Sequence, residues 1–118
     1  MRKLLSLFAL ALLFACSSES LEDLRPEGDC DTFDVAYQKD IRALLANNCS
    51  SAGCHVGANG VGGLDLTTYA DAKAIADNGN LVGRIEETTG NLMPPGAPLA
   101  DCDIELIRAW VAKGAPNN

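Results

Sequence analysis

The 118-residue chain carries 16 acidic against 9 basic side chains, a formal net charge of −7. That balance argues against nucleic acid and against an anionic lipid surface as partners, and favours a basic patch on another protein. The length suits one small domain, of a size that often relies on a disulfide, a metal or a cofactor to supplement its core.

The chain opens Met1-Arg2-Lys3, runs apolar from Leu4 to Ala15, and then reads Cys16-Ser17-Ser18-Glu19. A short basic start, an apolar stretch too short to span a bilayer and a small residue at the break describe an export signal. Leu13-Phe14-Ala15-Cys16 resembles a bacterial lipobox, which implies loss of residues 1–15 and lipidation of Cys16; plain secretory cleavage, leaving Cys16 as a stray thiol, is the alternative. Loss of Arg2 and Lys3 takes the charge from −7 to −9. No apolar run follows Cys16, so a lipid would be the only membrane anchor. The expected location is the bacterial cell envelope, facing the periplasm or on the outer membrane.

Residues 16–29 are polar and acidic, with Pro26 and Gly28, and read as a tether to a domain over 30–118. Phe33 to Gln38 reads as an extended or irregular lead-in. Asp40 is placed to cap a helix carrying Ile41, Leu44 and Leu45 on one face and ending at Asn47-Asn48. Four glycines in "VGANGVGG" (56–63) make a loop. Thr67 or Thr68 starts a helix through Tyr69, Ala72 and Ile75-Ala76, stopped by Asn78-Gly79. Asn80 is placed to cap a brief helix with Leu81, Val82 and Ile85, and "TTGNLMPPGAPL" (88–99) is another loop. Asp101 is placed to cap the last helix, where Ile104, Ile107 and Val111 recur at helical spacing beside Trp110. Lys113 and Gly114 suit its end. No β alternation or internal repeat appears. The expected fold is all-α, about four short helices with long loops.

Five cysteines, at 16, 30, 49, 54 and 102, are an odd count for an exported protein. Assigning Cys16 to lipid leaves four in a compartment where disulfides persist. Cys49 and Cys54 share the stretch "CSSAGCH", with the chain's single histidine, His55, directly after the second. Cys30 and Cys102 remain, and a bond between them would tie the two ends of the domain together.

A C-x-x-C-H run signals covalent haem attachment, in which two thiols add to the vinyl groups and the adjacent imidazole lies under the iron. Here the gap is four residues rather than two. The extra residues, drawn from Ser50, Ser51, Ala52 and Gly53, would have to bulge outward for Cys49 to reach its vinyl group. A disulfide between Cys49 and Cys54 with an exposed His55 is the competing reading. A blue-copper site would want a second histidine, and a zinc or iron–sulfur site more ligands or closer spacing. A Cys–His nucleophile is disfavoured because sequence neighbours rarely point at each other. Met93 would be the only methionine left after export. It sits before Pro94-Pro95, in a turn suited to presenting a side chain to a cofactor rather than in a helix that would make it core filler.

Helix, Cys–Cys–His, helices, Met in a proline loop and a terminal helix together resemble a class I c-type cytochrome, and more closely a small bacterial cytochrome c-like lipoprotein. The resemblance is carried by "DIRALL", "NC", "CH", "GGLDLTTY", "LVGRI", "MPPGAPL" and "DIELIRAWVAKGAP", and covers residues 30–118. It implies one covalent haem c on Cys49 and Cys54, with His55 and Met93 as axial iron ligands. It further implies a one-electron carrier rather than an enzyme, serving a redox partner protein. In similar cytochromes the first and last helices cross, here near Ile107, Trp110 and Val111. Trp110 and Tyr69 read as core residues, with a place at the edge of the haem as the alternative. The alternative from another class is a haem-free, disulfide-braced envelope module that binds a protein or glycan.

Overall fold

The computed structural model describes residues 30–118, and every regular element among them is helical. The leader over 1–15, Cys16 and the tether over 16–29 lie outside the described residues. A π-helical turn, Tyr37–Ile41, runs directly into α1 (Arg42–Asn48), followed by α2 (Tyr69–Asp77), α3 (Asn80–Ile85) and α4 (Asp101–Ala112), with a single 3-10 turn at Val61–Gly63. Among the described residues no helix is long and apolar enough to cross a membrane.

The first helix starts earlier than Asp40 predicts. Ala36 is its N-cap, and the Ala36 carbonyl accepts from the amides of both Asp40 and Ile41. The Asp40 carboxylate instead reaches back to accept from the Ala36 amide at 2.9 Å. This is the reciprocal half of a capping box, moved one residue along because a π turn is wider than an α turn. Tyr37 and Gln38 are thereby helical, not part of the lead-in.

α2 keeps its expected bounds. Thr68 is the N-cap, its hydroxyl accepting from the Asp71 amide, and Asn78 ends the helix. The N-caps of α3 and α4 are Gly79 and Ala100, each one residue before the expected Asn80 and Asp101. Asp101 and Asp103 act from inside the first turn of α4, where acidic charge suits the positive end of the helix dipole. At the far end Gly114, at φ +85°, donates to the Val111 carbonyl and Ala115 to that of Trp110. That pair of bonds is a Schellman motif, and it turns the chain back over the core.

The core gathers Ile41, Leu44 and Leu45 with Ile107 and Trp110, and Val111 packs against it. Contact between the first helix and α4 is made chiefly through the π turn. The Tyr37 ring lies 5.5 Å from that of Trp110 and meets Tyr69 edge-on at 4.9 Å. The tail closes over this trio: Trp110 Nε1–H donates to the Pro116 carbonyl, Tyr69 O–H to the Ala115 carbonyl, and the Tyr37 amide to the Asn118 side chain, each at 2.9 Å. α3 packs on α2 and α4, and Glu86 beyond its end pairs with Arg108 of α4. Cys30 and Cys102 are joined by a disulfide, Cα to Cα 5.3 Å, which clips the start of the domain to the first turn of α4.

Candidate functional site

α1 ends at Asn48, and the next residues fold into a closed loop. The amides of Cys49 and Ser50 both donate to the Leu45 carbonyl, Cys54 donates to Ser51, and His55 returns to the Cys49 carbonyl at 3.1 Å. Ser51, Ala52 and Gly53 are exposed, while Cys49 and Cys54 are half-buried. The extra residues between the cysteines therefore bulge outward, and both cysteines are free thiols. The Ser51 hydroxyl donates to Cys54 Sγ at 3.3 Å.

His55 is held at three atoms. Its amide is tied to Cys49, its carbonyl accepts from the Leu66 amide, and its Nδ1 lies 2.8 Å from the Val61 carbonyl. A carbonyl only accepts, so Nδ1 donates in this contact, and in the neutral ring the lone pair is then on Nε2. The Val61 carbonyl is held in turn by the Val61 amide, which donates to Cys54, and by a tight approach at Gly60. A Cβ on Gly60 would run into the Leu64 carbonyl oxygen and lie 3.2 Å from the Val56 nitrogen.

Met93 reaches the site from the other side. The Gly83 and Arg84 carbonyls, at the end of α3, have no intrahelical partner. Gly83 accepts from the amides of Thr88 and Thr89, and Arg84 accepts from Met93 at 2.9 Å. The loop 88–93 is thus pinned to the end of α3.

One cavity of about 570 Å³ is lined by Cys49, Cys54, His55 and Met93 together. Its walls include Leu64, Leu66, Ile75, Leu81 and Ile85, and Arg84 is the one Lys or Arg lining it. The volume is within the range of cofactor sites, and the pattern of apolar walls with a few convergent polar groups is theirs as well. Burial, and secondarily the neighbouring Cys54, pushes the Cys49 thiol up to about 11, so it is uncharged at neutral pH. Among the described residues no three His, Cys, Asp or Glu side chains converge as a site for a bare metal ion. The donors present, one imidazole and one thioether beside two thiols, instead fit the chemistry of a covalently held haem, whose porphyrin supplies the other four ligands.

All four cofactor residues expected from the sequence thus face the same cavity, whereas Trp110 and Tyr69 do not line it and belong to the core. Reading the sequence missed the Val61 carbonyl, Arg84, and the Gly83–Thr89 contact. Backbone carbonyls leave no trace in residue type, whereas a cation amid the apolar "LVGRI" was the signal for Arg84. No protein-family model, curated protein or solved structure matches this chain.

Proposed function

We propose that the domain is a monohaem c-type cytochrome and that it carries single electrons. What supports this most is that Cys49, Cys54, His55 and Met93, from two separate loops, line one apolar cavity. Cys49 and Cys54 would hold the haem through thioether bonds, and His55 Nε2 and Met93 Sδ would ligate its iron. When bound, haem supplies an iron that changes oxidation state by one electron, and His/Met ligation raises its potential.

The chain's own residues do the rest. The Val61 carbonyl holds the imidazole's orientation and strengthens its donor character. Leu66, Ile75, Leu81 and Ile85 give the cavity apolar walls, which would lower the dielectric around a bound iron. Arg84 offers the cation that the carboxylates of such a cofactor would need. An acidic surface, at −9 after export, suits a redox partner with a basic docking patch. A lipid on Cys16 would hold the carrier at the envelope membrane.

The test is production of the mature chain with haem-attachment machinery. The protein should gain the mass of one haem and keep its colour through denaturation, and Cys54→Ala should abolish both. Met93→Ala should keep the haem but lower the potential and lose the weak sulfur-to-iron absorption of the ferric state. A colourless product with a Cys49–Cys54 disulfide would overturn the reading.

A further inference from the structure

We propose that Gly83 is the positioning residue for the Met93 thioether, acting through Thr89; this rests on the His/Met haem reading above. Gly83 is buried in α3. A Cβ there would overlap the Thr89 hydroxyl and methyl and lie 2.9 Å from Thr89 Cβ. Thr89 has no longer side chain to swing aside, so its backbone would have to move. That backbone is bonded in place: the Gly83 carbonyl accepts from the Thr89 amide at 3.1 Å, from the Thr88 amide at 2.7 Å and from the Thr88 hydroxyl at 3.3 Å. Four residues on, Met93 is tied by its amide to the next carbonyl of the same helix end. Thr89 and Met93 both line the cavity. The missing side chain at position 83 therefore sets the seat of the whole segment from Thr88 to Met93, and with it the depth at which the sulfur enters the cavity.

The experiment uses the haem-loaded protein, in its ferric state, titrated with imidazole, which competes with Met93 for the iron. Gly83→Ala should bind imidazole about tenfold more tightly, the effect of about 1.4 kcal/mol of overpacking, and should weaken the sulfur-to-iron band. Adding Thr89→Gly to that variant vacates the space the new methyl needs, and should bring affinity and band back to within about threefold of the parent. Thr89→Gly alone, at an exposed position, should tighten imidazole binding by removing the seat, which keeps the test available if Gly83→Ala does not fold. Unchanged affinity in the single variants, or no recovery in the double, overturns the proposal. A parent protein that holds haem but lacks the band removes the His/Met reading and the proposal with it, whereas a band equal in all variants removes the proposal alone.

Discussion

Gly60→Ala is the sharpest test of how the histidine loop is built. The added methyl would overlap the Leu64 carbonyl oxygen and sit 3.0 Å from its carbon and 3.2 Å from the Val56 nitrogen. All three obstacles are backbone, so no rotamer change relieves them, and overpacking of this kind costs about 1–3 kcal/mol, here at the upper end. About 3 kcal/mol in a domain of this size lowers the melting temperature by about 12–24 °C. The natural control is Gly53→Ala. Gly53, unlike Gly60 at φ −54°, lies in the left-handed region at φ +83° but has nothing within 4 Å of a Cβ, so only backbone strain of about 1–2 kcal/mol is added. Thermal unfolding of both variants, with and without haem, gives the comparison. Because Gly60 precedes the Val61 carbonyl that orients His55, the loss should be larger in the haem-loaded protein. Equal losses for the two alanines, or less than about 1 kcal/mol for Gly60→Ala, would refute the account of the loop.

Replacing Cys30 and Cys102 with serine should lower stability by about 4 kcal/mol, from a closed loop with a 72-residue separation, and leave the haem spectrum nearly unchanged; mass spectrometry finding two free thiols in the native protein would contradict it. Leu44→Ala, at a core position 7% exposed, should cost about 2–5 kcal/mol by urea unfolding, and a loss below about 1 kcal/mol would place Leu44 outside the core. In the reduced, haem-free protein with Cys54 in place, Cys49, followed by peptide mapping, should alkylate slowly at pH 9 and speed up as pH approaches the thiol's raised value of about 11. The thiolate is the reactive form, and about one thiol in a hundred is ionised two units below its pKa; a rate that levels off by pH 9 would show that burial does not hold the thiol protonated.

Much of the fold was legible because its signals are local. Thr68 and Asn78–Gly79 bracket α2 with chemistry that acts within one turn, and they end the helix where expected. Asp40 and Asp101 were misplaced for a shared reason. A carboxylate near a helix start reads the same whether it caps the first amides or sits within the opening turns, and only the backbone decides. The cavity was legible in its side chains, since Cys49, Cys54, His55 and Met93 are rare residue types in telling places. What holds them was not. The Val61 and Arg84 carbonyls are groups that every residue owns, and the Gly83 contact with Thr89 depends on how the loop beyond α3 returns.

The Cys30–Cys102 bond also decides how the domain bears mechanical load. Tension applied between the two ends of the chain would pass from Cys30 to Cys102 through sulfur and bypass the span between them. Cys49, Cys54, His55 and Met93 all lie within that bypassed span. A domain held at one end and tugged at the other would lose part of α4 and its tail before any force reached the span between the two cysteines. Reduction of that one bond would put the cavity loops directly in the line of pull.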